Sequence, residues 1–255
     1  MSALTSSARR LSPFAACTVG LLVVTLAAAC GQAPAQVHTD ALKAPPTHPS
    51  AAHFTHGRVD NPWFPLKPGT RYVYRGTEDH GEIRDVLIAT HHTRVVDGVT
   101  CRVVFDRAWR NGHLTERTHD FYAQTRGGTV WYFGEQTATL DRHGHVTSRD
   151  GSFMSGQRGA EAGIFMTPHP HVGPSYHQEN YPGQAEDVYT VASRRAQVTT
   201  PLIATRHALL TRETTVLEPG VVDHKYYVRD IGTVRELTVK GGTESLALVS
   251  LTHQR

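Results

Sequence analysis

Cysteine is scarce, with three in 255 residues, at Cys17, Cys30 and Cys101. Two of these fall in or directly after an apolar N-terminal stretch, so only Cys101 is left for a folded domain. A lone cysteine closes no intramolecular disulfide, and stability must therefore come from a packed core. Cys101 lies in the strand-like run Val99-Thr100-Cys101-Arg102-Val103-Val104-Phe105. A small buried hydrophobe is its expected role there, not a catalytic thiol. An excess of one charge is also missing. The formal net charge is +3, and residues 1–29 contribute only Arg9 and Arg10, leaving about +1 on the rest. No basic run or block of like charge occurs, which argues against nucleic acid as a partner. Outside the N-terminal stretch no helical period is sustained over more than two turns. An HExxH pair, a paired Cys/His array and a GxSxG elbow in a strand–turn–helix context are absent as well. The familiar zinc and serine-hydrolase signatures are thereby excluded.

What is present begins with an export signal. Arg9 and Arg10 form a short positive region, followed by the apolar run Leu21 to Ala29. The apolar stretch from Pro13 is too short and interrupted to span a bilayer, which takes about 20 apolar residues. It fits a cleaved signal peptide over residues 1–29. Ala27-Ala28-Ala29-Cys30-Gly31 resembles a bacterial lipobox, with Ala27 where a leucine is usual and Leu26 one place earlier. On that resemblance Cys30 is the lipid attachment site and the membrane is a partner through an N-terminal anchor. Ordinary signal cleavage with Cys30 carried along is the alternative. The expected location is the cell envelope, on the outer face of the membrane or in the periplasm. From Gly31 to Thr55 the chain is rich in Ala, Pro, His, Gln and Thr without a period, and too few apolar groups offset its ordering entropy. Residues 30–55 are therefore read as a disordered tether and 56–255 as a single β domain.

Within that domain the central feature is Thr115 to Glu135. Two runs rich in aromatic and β-branched residues, Thr118 to Gln124 and Thr129 to Phe133, flank Arg126-Gly127-Gly128, and the whole reads as a β-hairpin. In its second run Val130 and Tyr132 point to one face, Trp131 and Phe133 to the other. Both faces are apolar, so this strand should be covered on both sides. Further strand-like runs are 70–75, 83–96, 100–109, 145–154, 187–193, 208–215, 221–228, 233–239 and 245–251. Asp97-Gly98, Asn111-Gly112, Pro219-Gly220 and Gly241-Gly242 mark turns between several of them. The fold class is all-β and mainly antiparallel, a curved meander forming a half-barrel or barrel-like sheet. Gly151 to Gly183 carries glycines, prolines and scattered aromatics without a period. It reads as a long crossover covering an open face of the sheet, anchored by Ile164-Phe165-Met166 and mobile at Gly156, Gly159 and Gly163.

The blocks NPWFPLKPGTRYVY, HDFYAQTRGGTVWYFGE, YPGQAEDV and LEPGVVDHKYYVRDIGTVRE resemble those of a family of uncharacterised bacterial exported proteins, in the same order. The resemblance covers nearly all of the chain from Asn61 onward and implies export and a β-rich fold, but no activity. A looser likeness, at fold level only, is to the half-barrels of bacterial lipoprotein carriers.

Three constellations carry possible chemistry. Asp120 and Glu135 flank the central hairpin, and Glu186-Asp187 follow Tyr181-Pro182-Gly183; paired carboxylates with separated pKa values suit glycoside hydrolysis. Acidic residues at strand ends serve more often as turn caps. Among the 17 histidines, His169, His171 and His177 have spacing that a zinc or copper ion can use, although solvated turn histidines are the commoner case. The aromatics Tyr122, Trp131, Tyr132, Phe165, Tyr176 and Tyr226 either build the core or line a pocket for an apolar or amphiphilic ligand. The residues point to a non-enzymatic envelope lipoprotein without a cofactor, binding such a ligand or an envelope protein. An extracytoplasmic hydrolase using the carboxylates is the alternative, and a metal-binding envelope protein the third reading.

Overall fold

The structure, a computed structural model, describes residues 47–253. The expected signal peptide, the lipid site Cys30 and most of the expected tether lie outside the described residues. The tether's last residues do not. Ala51–His53 forms a 3-10 turn, Phe54 is buried and bridges Thr125, and His48 reaches Asp97. Residues 48–54 thus pack against the domain where composition suggests a tether, because Phe54 finds an apolar cluster to enter.

Among the described residues seventeen strands follow. Two short ones, β1 (Asp60–Asn61) and β2 (Phe64–Pro65), precede the meander β3 (Thr70–Glu78), β4 (Gly81–Val96), β5 (Val99–Arg110), β6 (His113–Gln124) and β7 (Val130–Leu140). A series of short pieces comes next: β8 (Val146–Ser148), β9 (Phe153–Met154), β10 (Glu161–Met166), β11 (Ser175–His177) and β12 (Glu179–Asn180). The second meander is β13 (Asp187–Thr199), β14 (Ala204–Thr215), β15 (Val222–Val228), β16 (Gly232–Lys240) and β17 (Ser245–His253). All pairings are antiparallel. Positive φ at Asp97, Gly98, Asn111 and Gly112 gives the tight turns that those pairs of residues announce.

The strand order β11-β13-β14-β15-β16-β17-β3-β4-β5-β6-β7-β10-β12 curls into a nearly closed barrel. The last strand, β17, returns to pair with the first long one, β3, from Ser245↔Thr77 to His253↔Thr70. Closure comes from the segment Ser175–Asn180. Its first half pairs with β13, and its second half pairs with β10 after a single intervening residue, Gln178. Barrel closure removes the unpaired edges that would invite aggregation. The expected crossover thus contains four short strands, β9 to β12, and it completes the wall of the barrel instead of lying over a face. Gly163 makes this approach possible: a Cβ there would stand 2.1 Å from the Gln178 carbonyl oxygen.

The central hairpin is β6–β7, covered on both sides as its pattern requires. Tyr132 and Val130 enter the barrel core with Tyr122, Phe165 and Leu87. Trp131 and Phe133 enter a second cluster outside the wall with Phe54, Val99, Cys101 and Phe121. At Gly134, with φ of 121°, β7 shifts register, and the inward set continues on Glu135 and Thr137. One end of the barrel is stoppered by Trp63, Phe64 and Leu66, which join the barrel core. Asn61 holds that plug, accepting from the Trp63 N–H at 2.8 Å and donating to the Gly128 carbonyl at 2.8 Å.

Candidate functional site

The end of the barrel opposite the plug is acidic. Strand alternation sets this directly: in β4 the inward positions read Ile83, Asp85, Leu87, Ala89, and in β5 Val104, Asp106, Ala108. Glu116 and Asp120 on β6, Glu135 on β7, Asp187 on β13, Glu213 on β14 and Glu236 on β16 are likewise buried. Glu179, on the closing segment, is 1% exposed. Lys225 on β15 is the buried amine set against them, with its Nζ 2.7 Å from Glu213 Oε2 and 3.7 Å from Glu236 Oε1. The Glu213 carboxylate also accepts from the Thr211 hydroxyl at 2.9 Å.

Burial controls the charge states. A carboxylate without a cation pays a desolvation cost that protonation removes. Burial pushes Asp85 up to about 8, and it lifts Asp106, Asp120, Glu179 and Glu236 well above the ordinary carboxylate range. Neither Asp85 nor Asp106 finds a hydrogen-bond partner for its buried carboxyl, and the charge of Asp85 adds to burial in raising Asp106. For Lys225 burial works downward, but Glu213 and Glu236 outweigh it and hold the amine above its usual range. Glu179 receives no hydrogen bond at either oxygen, and its largest electrostatic neighbour is Asp187. From this layer a narrow cleft of about 20 Å³, room for about one water-sized group, leads outward between Asp187, Glu213, Glu218, Asp223, Lys225 and Glu236.

The sequence-derived candidates divide accordingly. Asp120 and Glu135 come together: the Tyr132 hydroxyl lies 2.8 Å from Asp120 Oδ1 and 3.0 Å from Glu135 Oε2. Both are buried, so neither acts as a turn cap. Asp187 joins the same layer, whereas Glu186 turns outward and accepts the Gly183 N–H at 2.8 Å. Tyr122, Tyr132 and Phe165 face the interior and pack on one another, with the two tyrosine rings stacked at 4.7 Å. Tyr176 stacks on Tyr189 at 5.2 Å. Trp131 is on the opposite side of the wall, and Tyr226 is only half-buried. His169 and His171 are exposed and His177 is half-buried. Among the described residues no three His, Cys, Asp or Glu side chains are grouped to hold a metal ion.

Sequence reading passed over Asp85, Asp106, Glu213, Lys225 and Glu236, and it set Glu179 beside His177 as a metal candidate. For the first two a signal exists, since each occupies an apolar register: Ile83-x-Asp85-x-Leu87 and Val104-x-Asp106-x-Ala108.

No family model and no curated protein matches the chain. Two solved structures are similar to it. One is an exported-protein candidate with a YmcC-like fold from Bacteroides fragilis NCTC 9343, at 12% identity and a TM-score of 0.42, covering 74% of this chain and 98% of that one. The other is a lipoprotein candidate from Parabacteroides distasonis ATCC 8503, at 10% identity and a TM-score of 0.32, covering 75% of this chain and 99% of that one. Likenesses this remote transfer no site.

Proposed function

We propose that the chain is an exported, non-enzymatic binding protein of the bacterial cell envelope, anchored through Cys30. Its acidic barrel end receives the cationic group of a small or amphiphilic ligand. The observation carrying this reading is the imbalance around the open cleft, where Asp187, Glu213, Glu218, Asp223 and Glu236 face Lys225. Glu179, buried behind them, has no hydrogen-bond donor at either oxygen, so the cation's contacts fall to the carboxylates that line the cleft. Of the amphiphilic ligands the sequence admits, this end favours those with a positive head. The apolar interior is filled by Tyr122, Tyr132 and Phe165, all buried, so an apolar tail belongs outside the wall. Hydrolysis by Asp120 and Glu135 has less support, because both carboxyls are sealed behind Tyr132 and no solvent reaches them.

Titration calorimetry with spermidine on the Cys30→Ser chain tests the reading. Saturable binding is expected, weakening with salt, and about tenfold weaker in the double variant Glu218→Gln, Asp223→Asn. Heats no larger than dilution at low salt, for spermidine and for a long-chain alkylammonium alike, would remove it.

A further inference from the structure

The outside of the barrel mirrors its interior in charge. Strands β3 to β6 contain six carboxylates, and five of them, Glu78, Asp85, Asp106, Glu116 and Asp120, are buried inside. Only Glu82 faces out. On the outward positions of the same four strands stand Arg71, Arg75, Arg84, Arg107 and Arg117, each half-buried or exposed. None of the five forms an ion pair with a carboxylate among the described residues, whereas Arg110, at the rim, pairs with Glu78. The registers set like charges against one another, Arg75 directly opposite Arg84 and Arg107 directly opposite Arg117. Like charges opposite each other across strands destabilise a sheet. A fold that keeps two such pairs with no acid between them has a use for an anion there.

The aromatic neighbours define the chemistry further. The Arg84 guanidinium lies over the Trp109 ring at 4.3 Å, and that of Arg107 lies over Phe105 at 4.2 Å. A stacked guanidinium is fixed in position while its in-plane N–H groups stay free to donate to phosphate oxygens. Beside Arg75, Arg84 and Trp109, with Glu82 also in its lining, runs an open cleft of about 330 Å³. Arginine interleaved with half-buried Trp109, Phe105 and Ile88 is the composition of a surface lying at the headgroup level of a bilayer.

We infer that the outer face of β3–β6 docks on an anionic phospholipid surface. The 17 positions from Cys30 to Thr47 span at most about 60 Å, so a domain anchored at Cys30 is held within reach of headgroups. The charge argument itself does not depend on that anchor, nor on the acidic end of the barrel.

The experiment is co-sedimentation of the unlipidated Cys30→Ser chain with vesicles of one part phosphatidylglycerol to three parts phosphatidylcholine, against pure phosphatidylcholine vesicles. Binding is expected only to the anionic vesicles and should be lost at high salt. Each basic residue near an anionic surface is worth about fivefold, so the double variant Arg84→Gln, Arg107→Gln should bind about 25-fold more weakly. Arg194→Gln with Arg206→Gln, exposed positions on β13 and β14, should change binding little. Thermal melting checks that each variant is folded. Equal binding to both vesicle types, no binding to anionic vesicles at low salt, or equal losses from the two double variants would each overturn the inference. So would capture by single-stranded DNA without any binding to phosphatidylglycerol.

Discussion

A single hydroxyl, that of Tyr132, faces two buried carboxyls, and it has one proton to give. It can donate to Asp120 or to Glu135, so the other contact requires a proton on the carboxyl. The upward shift of Asp120, caused first by burial and then by the charge of Asp106, supplies that condition. Tyr132→Phe removes the shared donor and keeps the ring stacked on Tyr122. A cost of about 1–3 kcal/mol is expected from denaturant unfolding, the price of leaving a buried acceptor unpaired. Tyr132→Ala should lose about 3–5 kcal/mol, since the ring is buried among Tyr122, Phe153 and Phe165. Trp131→Ala should cost a similar amount by emptying the cluster on the other side of the wall. Unchanged melting of both alanine variants would contradict the double-sided packing. The aromatic positions were legible from alternation alone. The carboxyls' burial was not, because an isolated acid in a strand pattern carries no mark of which face it occupies until its strand's apolar register is counted.

At the level of elements, the weakest place in the wall is its seam. There Ser175–Asn180 makes three register pairs to β13 and two to β10, whereas β3 and β4 share eight. Backbone amides in the seam should exchange with solvent faster than those of Trp131 to Phe133, in a strand paired to both β6 and β10. Ile164 to Met166 should fall between, being paired to β7 across a register shift. Equal protection throughout would show that the seam does not open separately from the barrel. Gly163→Ala is the sharper perturbation: its Cβ meets the Gln178 carbonyl, so the closing segment must move, with an expected loss of about 1–3 kcal/mol. Every long strand was visible in the sequence, while β10, β11 and β12 were not. These are two to six residues long, separated by glycine and proline, and their pairing partners lie far along the chain. Short non-local pairs leave almost no local pattern to read.

For the molecule as a whole, the acidic layer sets how stability depends on pH. Asp85 has a folded-state pKa of about 8, against an ordinary value near 4 when the chain unfolds. Between those values the folded state binds the proton and the unfolded state releases it. Unfolding is therefore favoured as pH rises across that window. The contribution of Asp85 is complete below about pH 4 and is lost as pH climbs through about 8. The buried, upward-shifted Asp106, Asp120, Glu179 and Glu236 act in the same direction. Lys225, also shifted upward, adds to this trend only at alkaline pH, where it begins to lose its proton. Most carboxylates that form native ion pairs make a protein less stable in acid. Here denaturant unfolding should show the barrel more stable at pH 5 than at pH 8, with a limiting slope of about 1.4 kcal/mol per pH unit for each proton bound. Asp85→Asn keeps the shape, removes one titrating group and should flatten the slope. Asp79→Asn, at an exposed turn, should leave it unchanged. A stability that rises from pH 5 to pH 8 would mean that these carboxyls are ionised in the fold and that their charge is balanced by cations from outside the chain.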